Sequence, residues 1–291
     1  MTARTWFFTA DARLRAPWRI LLFLLAAIFC AFVASATLVP AISAIYRLAG
    51  LRVSAGGWQA LAALLGAHAI MLRWVDRRPW SDVYLDRAAA RPAALASGFA
   101  LGALAIGIPT AALIGIGWLG RLPTAPGAWL PAALRVSLFL LPAALAEELA
   151  TRGYVFAALR DAWGWRWTLA VTSVAFGLLH LQNAGANAQS VSLVILAGVF
   201  LGAVVLATRS LYAAWMAHFA WNWTMAVVFH TAVSGLPLET PDYRYADAGP
   251  DWATGGPWGP EGGAAGAIGM LGGLAYLYAR RPSTRRREEP S

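Results

Sequence analysis

Apolar residues dominate eight stretches of the chain, and shorter polar segments carrying most of the charges separate them. Each stretch is close to the ~20 residues that a helix needs to cross the hydrocarbon core of a bilayer. The stretches are residues 18–42, 57–75, 93–118, 129–160, 165–183, 190–208, 211–232 and 262–279. The fourth is the longest, so we expect it to tilt or to extend beyond the bilayer. The pattern predicts an all-α fold, a polytopic transmembrane helix bundle of about eight spans.

The composition supports a membrane protein. Of the 291 residues, 59% are apolar and only 13% are charged, which is typical of a multi-spanning protein. Neither an internal repeat nor a domain boundary interrupts the bundle, so residues 1–291 are expected to form a single integral membrane domain. Within it, residues 281–291 are expected to be a flexible C-terminal tail.

The first apolar stretch has some features of a cleavable signal peptide. Arg13, Arg15 and Arg19 precede or open it, and Ala34-Ser35-Ala36 has the small-residue pattern of a cleavage site. The stretch continues to Ile45, however, which is too long for the apolar region of a signal peptide. We therefore expect this segment to be retained as the first span.

Charge placement predicts an orientation in the membrane. The net charge is +9, and all 23 basic residues are arginines, most of them at the ends of apolar stretches. With the N-terminus inside, the inner segments hold sixteen arginines, and the outer ones hold only Arg47, Arg52, Arg121 and Arg244. This asymmetry follows the positive-inside rule and predicts that both termini are cytosolic. The expected partners of these arginines are membrane lipids and not nucleic acid.

The absence of lysine beside abundant alanine, glycine, arginine and tryptophan suggests a GC-rich bacterial genome, and hence the bacterial cytoplasmic membrane as the location. The outer segment 234–261 is rich in glycine, proline, aspartate and tryptophan. We expect it to be an irregular, solvated loop. A role in admitting substrate is the alternative.

Three charged residues interrupt the fourth apolar stretch. Glu147, Glu148 and Arg152 lie where an ionisable group costs several kcal/mol by order of magnitude, so such residues are rare and usually functional. Glu148 and Arg152 are four residues apart and can pair on one helix face, whereas Glu147 points about 100° away. We expect an internal Glu148–Arg152 ion pair that leaves Glu147 free for chemistry. The alternative is a purely structural buried network.

Two more polar groups fall at a similar depth in other spans. His180 lies one turn after Phe176 in the fifth stretch, and His218 and Asn222 share one helix face in the seventh. Counted from the inner helix ends, these residues and Glu147 lie roughly 14–22 Å into the membrane. We therefore expect the three helices to present their polar groups to one layer.

His68 and His230 have no such companions at their depth. We expect them to be ordinary histidines hydrogen-bonded within the bundle.

The motifs Glu147-Glu148-x-x-x-Arg152, Phe176-x-x-x-His180 and His218-x-x-x-Asn222, in this order on three spans, resemble the signature motifs of the CPBP family. This family includes the type II CAAX prenyl endopeptidases and bacterial bacteriocin-processing or self-immunity (Abi) proteins. The resemblance covers residues 129–232, the motif-bearing core. Family members often have an aromatic residue before the motif arginine, where this chain has Thr151.

The resemblance implies an intramembrane endopeptidase that hydrolyses a peptide bond in a membrane-associated peptide or lipidated protein. Glu147 and His180 would activate the attacking water, and His218 and Asn222 would stabilise the oxyanion. Glu148 and Arg152 would support the catalytic helix. These roles suit the residue types, because a carboxylate or an imidazole can serve as a general base and an imidazole or amide can donate to an oxyanion.

Glu147, His180 and His218 could also ligate zinc, since two nitrogens and a carboxylate form the ligand set of several hydrolases. The His-Glu-x-x-His helix motif is absent, however. We therefore favour a glutamate mechanism without a metal cofactor and keep zinc as the alternative.

Two functions compete with proteolysis. The first is a non-catalytic immunity or scaffolding protein with the same polar bundle core. The second is a transporter or channel with a proton path through Glu147 and the histidines. The second lacks the inverted repeats and paired interrupted helices that are typical of transporters.

Overall fold

The computed structural model describes residues 6–9, 11, 13–238 and 240–280, and it is mostly helical (73%). The helices are α1 (Ala16–Leu48), α2 (Gly56–Ile70), α3 (Pro92–Gly115), α4 (Trp129–Arg152), α5 (Tyr154–Leu179), α6 (Ala188–Thr208), α7 (Leu211–Trp223), α8 (Asp251–Thr254) and α9 (Ala264–Ala279). Single π-helical turns, Met71–Val75 and Thr224–Val228, extend α2 and α7. Short 3₁₀ turns occupy Trp80–Val83, Gly256–Trp258 and Pro260–Gly262.

Four helical segments in the described part of the chain are long and apolar enough to cross a membrane. They are Ala16–Leu48, Pro92–Gly115, Trp129–Leu179 and Ala188–Thr208. The third of these takes α4 and α5 together, and α9 is apolar but shorter. The count of eight spans and the cytosolic position of both termini stay predictions. The predicted tail, residues 281–291, lies outside the described residues.

The fourth apolar stretch lies within the candidate span Trp129–Leu179, but it is not one continuous helix. The helix breaks at Gly153, whose backbone (φ −87°, ψ −125°) is not helical. The side chain of His68 occupies the break, where its Nε2 accepts a hydrogen bond from the backbone N–H of Tyr154 at 2.8 Å. The Nδ1 of His68 donates to the carbonyl of Leu64 at 2.7 Å. His68 thus satisfies a backbone donor that the break would otherwise leave unpaired, as buried backbone requires.

A turn inside α5 separates the fourth apolar stretch from the fifth. Gly164 has φ +75° and ψ 168°, a conformation that an L-residue with a Cβ rarely adopts. The helix axis therefore changes direction at Gly164, between Trp163 and Trp165.

A partly buried charged network fixes the start of α5. Arg19, near the start of α1, donates from Nη2 to Asp76 Oδ2 at 2.6 Å and from Nη1 to Asp161 Oδ2 at 3.1 Å. The hydroxyl of Tyr154 donates to the same Asp76 oxygen at 2.7 Å. The beginning of α5 is therefore tied to α1 and to the segment after α2, next to the break at Gly153.

Small residues let α3 and α7 approach closely. Gly98 and Gly102 in α3 have no room for a Cβ, because the backbones of Ala213 and Ala217 in α7 lie against them. Close approach of this kind is characteristic of helix packing in lipid, where van der Waals contact drives association. It fixes the position of α7, which carries His218.

Two strands, β1 (Leu119–Pro123) and β2 (Tyr243–Asp247), form an antiparallel sheet in which Leu119 pairs with Asp247 and Pro123 with Tyr243. The all-α prediction is therefore incomplete. Each strand is short, and the two lie more than a hundred residues apart in the chain, so no local hairpin pattern marks them.

The segment after β2 is also more ordered than expected. Trp258 is completely buried, and Glu261 is 9% exposed. Much of 234–261 packs against the helices, so the prediction of an irregular, solvated loop is wrong for this part of the segment.

Candidate active site

Three helices bring the polar groups of the motifs together. Glu147 in α4 places its Oε2 atom 3.7 Å from Nε2 of His180, which follows α5, and 3.8 Å from Nε2 of His218 in α7. Asn222 lies one turn after His218 and lines the same cavity as both histidines. These distances show that Glu147, His180 and His218 meet at one level of the bundle, whereas the depth of that level in a membrane stays a prediction.

A hydrogen bond at Nδ1 orients the ring of each of the two histidines. Nδ1 of His180 lies 2.8 Å from the carbonyl oxygen of Phe176, which can only accept, so this nitrogen carries a proton. Nδ1 of His218 lies 2.9 Å from Oε1 of Glu148 and donates to that carboxylate. In the neutral rings both Nε2 atoms are therefore acceptors, and both face the carboxylate of Glu147.

The predicted Glu148–Arg152 ion pair is present and completely buried. Nη1 of Arg152 donates to Oε1 of Glu148 at 3.0 Å, and Nη2 donates to the carbonyl of Gly198 in α6 at 3.1 Å. The same Glu148 oxygen accepts the bond from His218, which helix spacing alone does not predict. Its other oxygen, Oε2, is buried and has no hydrogen-bond partner in the described part of the chain.

Thr151 takes part in this network. Its hydroxyl donates to the backbone carbonyl of Glu147 at 2.8 Å and accepts a bond from Nη1 of Arg152 at 2.8 Å. The position at which related proteins often have an aromatic residue thus holds the arginine by a hydrogen bond in this chain.

An aromatic ring fills the space between the charged groups. Phe176 packs at 4.9 Å from the ring of His180 and, edge to face, at 5.8 Å from that of His218. The guanidinium of Arg152 lies over the Phe176 face at 4.2 Å, where a cation is attracted by the ring. Phe176 therefore keeps the two imidazoles apart and covers the buried ion pair.

Glu147 differs from its neighbours in exposure. Its side chain is 40% exposed, whereas those of His180 and His218 are 13% and 9% exposed, and that of Glu148 is completely buried. Glu147 is therefore the acidic group of this cluster that another molecule can reach directly.

A small cavity of about 30 Å³ adjoins the cluster, roughly the space that one water molecule occupies. Its polar lining comes from His180, His218, Asn222, Ser234 and Glu261. Apolar side chains, among them Phe176, Phe200 and Trp221, form the rest of the wall. The cavity can hold a water beside the two imidazoles, but it is too small for a peptide segment.

Glu261 is a residue of this site that the sequence does not reveal. It lies directly before the last apolar stretch, next to glycines, and this local pattern predicts an ordinary loop residue. Its Oε2 accepts a bond from Nε1 of Trp221 at 2.8 Å. Its Oε1 accepts bonds from both the backbone N–H and the hydroxyl of Ser234, each at 2.6 Å.

These bonds join the two sides of the cavity. Trp221 directly precedes Asn222, and the carbonyl of Ser234 accepts a bond from Nδ2 of Asn183 at 3.0 Å. Asn183 follows His180 by three residues, in the turn after α5. Glu261 therefore links the helix that carries Asn222 to the turn that carries His180.

The remaining two histidines are hydrogen-bonded within the protein, as expected. His68 bridges α2 and the start of α5, and Nδ1 of His230 lies 2.9 Å from the carbonyl oxygen of Tyr243 in β2. Neither lines the cavity between His180 and Asn222.

The zinc alternative requires donor atoms from several side chains to converge on one point. Within the described residues, no group of three histidine, cysteine, aspartate or glutamate side chains converges in the way that a metal site requires. The Nε2 atoms of His180 and His218 lie 3.7 and 3.8 Å from the Glu147 carboxylate, which is longer than a direct hydrogen bond.

A bundle of apolar helices with an exposed carboxylate between two oriented imidazoles defines a membrane protein with a site suited to acid–base chemistry. Residues 128–224 match the family described as type II CAAX prenyl endopeptidase, Rce1-like. This match confirms the family resemblance for about a third of the chain, and it contains all three motifs. The chain is thus an integral membrane protein in which residues 128–224 are similar to the Rce1-like type II CAAX prenyl endopeptidases.

Searches of curated proteins and of solved structures found no match to this chain. The family match and the geometry therefore carry the functional conclusion.

The buried pair yields a prediction about stability. Replacing Arg152 with Met leaves the Glu148 carboxylate buried with only His218 as a partner, and loss of one member of a buried pair costs about 3–5 kcal/mol. We expect the Arg152→Met variant to unfold at a clearly lower temperature in detergent, monitored by circular dichroism.

The double variant Glu148→Gln/Arg152→Met, which removes both charges, should recover part of this loss. Arg135→Met is the matched control, because Arg135 is half-buried on the same helix and has no ion pair among the described residues. A double variant less stable than Arg152→Met alone would contradict the interpretation.

Proposed function

We propose that this protein is an intramembrane endopeptidase that hydrolyses a peptide bond in a membrane-associated substrate. The observation that carries the proposal is the approach of one exposed carboxylate, that of Glu147, to the Nε2 atoms of His180 and His218 at 3.7 and 3.8 Å. The family match supports the reaction class and implies a peptide or a prenylated protein as substrate.

Glu147 and His180 act as the base in this proposal. A water held between the Glu147 carboxylate and Nε2 of His180 gives a proton to Glu147 while its oxygen attacks the carbonyl carbon of the substrate. Glu147 later returns that proton to the leaving amine nitrogen as the carbon–nitrogen bond breaks. General acid–base catalysis of this type typically contributes about 10²–10⁴-fold to the rate.

His218 and Asn222 stabilise the tetrahedral intermediate. The Nδ1 proton of His218 is committed to Glu148, so Nε2 can donate to an oxyanion only when the ring is an imidazolium. The Glu148 carboxylate lies 2.9 Å from Nδ1 of that ring, and Arg152 holds the carboxylate in place. The amide of Asn222 supplies a neutral donor beside it.

The cavity beside the imidazoles has room for a water but not for a peptide. Substrate therefore approaches Glu147 from its exposed side, and the cavity serves as the source of the attacking water. We further propose that the chain spans the bacterial cytoplasmic membrane eight times with both termini in the cytosol, because of the inner excess of arginine.

The first test removes the base. Glu147→Gln should lower cleavage by about 10²–10⁴-fold while the protein stays folded, because the amide keeps the size of the side chain but cannot take a proton. Cleavage is measured by mass spectrometry on membrane-associated peptides with and without a farnesyl group, using reconstituted full-length protein.

Asp242→Asn is the control for this variant, since Asp242 is an exposed carboxylate outside the cluster whose oxygen accepts from the backbone N–H of Gly127, as an amide oxygen also can. Normal cleavage by Glu147→Gln would overturn the role of Glu147. Absence of cleavage by the wild type would instead favour the non-catalytic immunity or scaffolding function.

The second test concerns the metal. We propose that no metal is required, and the absence of a converging ligand group in the described residues supports this. Wild-type cleavage should survive exhaustive chelation, with metal content followed by mass spectrometry. Loss of cleavage that added Zn²⁺ restores would establish the zinc mechanism instead.

The third test concerns Glu261, which we propose to be a positioning residue that acts through Asn222. Glutamine has a single oxygen acceptor and cannot accept from Trp221 and Ser234 at once, so Glu261→Gln loses bonds on one side. Because a displacement of about 1 Å can cost up to about 10²-fold in rate, kcat should fall while KM changes little.

A double-mutant cycle separates positioning from simple stability. In the Asn222→Ala background, Glu261→Gln should have little further effect on kcat, whereas its effect on thermal stability should be the same in both backgrounds. Equal effects on kcat with and without Asn222 would contradict the positioning role.

A further inference from the structure

A groove of about 660 Å³ lies between α3, α6 and α9, apart from the candidate active site. Its walls are formed by Ser97 to Pro109 of α3, Val204 to Thr208 of α6, and Ile268 to Arg280 at and beyond α9. The lining is mostly alanine, glycine, leucine, isoleucine and valine, with polar groups near one end. The size lies within the range of small-molecule sites.

The packing of α9 shows why space remains. Gly269 lies directly against the backbone of Ala105 in α3, and Gly273 lies against the ring of Phe200 in α6, so neither has room for a Cβ. Gly272, which also lines the groove, faces open space. The helices are therefore held together by glycine contacts on either side of a gap that no side chain fills.

The length of the groove fits one leaflet of a bilayer. Ser97 and Pro109 are twelve residues apart on α3, which corresponds to about 18 Å along the helix. The whole hydrocarbon core is ~30 Å thick. A single acyl chain entering from one membrane surface would therefore run the length of the groove.

The polar end of the groove is basic. Each of the three helices has an arginine next to its terminus on this side: Arg91 precedes α3, Arg209 follows α6 and Arg280 follows α9. Of these three, Arg280 lines the groove. The sequence beyond Arg280 adds further arginines at 281 and 285–287. Residues 281–291 contain no apolar side chain except proline, so this segment is unsuited to filling the groove.

We propose that the groove binds one acyl chain of an anionic glycerophospholipid, whose phosphate lies at Arg280. An apolar channel one leaflet deep requires a hydrocarbon chain, and the arginines at its mouth favour a negatively charged headgroup. This site does not depend on the proposed peptidase function, because none of its lining residues belongs to the Glu147 cluster.

The test uses the full-length protein in nanodiscs of phosphatidylcholine, with or without phosphatidylglycerol. Native mass spectrometry should show phosphatidylglycerol retained on the wild type in preference to phosphatidylcholine. Arg280→Gln should lower this retention about fivefold, as expected for the ~1 kcal/mol that one arginine contributes at an anionic membrane surface. Arg47→Gln, at the last turn of α1, is the matched control and should retain phosphatidylglycerol as the wild type does.

A second variant blocks the groove without touching its charge. Gly272→Leu places a side chain in the open space and should reduce retention of both lipids. Gly115→Leu, which also meets no atoms but lies outside the groove, should change neither. Equal retention of the two lipids by the wild type, or unchanged phosphatidylglycerol retention in Gly272→Leu, would overturn the proposal.

Discussion

A single buried oxygen atom, Oε1 of Glu148, holds the candidate active site together. It accepts hydrogen bonds from Arg152 at 3.0 Å and from His218 at 2.9 Å, and so joins α4 to α7. Charges buried at this depth are tolerated only when they are paired and hydrogen-bonded. The orientation of His218 toward Glu147 therefore follows from the same bonds that make the buried pair tolerable.

The two adjacent carboxylates of α4 lie in different environments. Glu148 is fully buried and bonded to its partners. Glu147, which directly precedes it, is exposed and lies near both imidazoles. Adjacent positions on a helix point about 100° apart, so one turn of α4 supplies both a buried support for His218 and an exposed carboxylate. Two neighbouring glutamates in one apolar segment can thus have opposite environments.

The surrounding bundle fixes this arrangement mainly through backbone contacts. Gly98 and Gly102 bring α3 against α7, and the break at Gly153 is held by a bond to His68. In lipid, apolar side chains gain little by leaving one hydrocarbon environment for another, so close packing and internal hydrogen bonds carry more of the specificity. Glu261 adds a tie from outside the motif-bearing core, between Trp221 and Ser234.

The sequence alone determined the apolar helices, the Glu148–Arg152 pair and the shared depth of Glu147, His180 and His218. Each of these depends on local spacing, since hydropathy and the helical repeat are properties of consecutive residues. The tertiary structure decided the bond between Glu148 and His218, the bonds of Glu261, the break at Gly153 and the pairing of β1 with β2. These contacts join residues far apart in the chain, or depend on a neighbouring helix, as His68 supports the break. Their partners are set by how the helices pack, which no local pattern records.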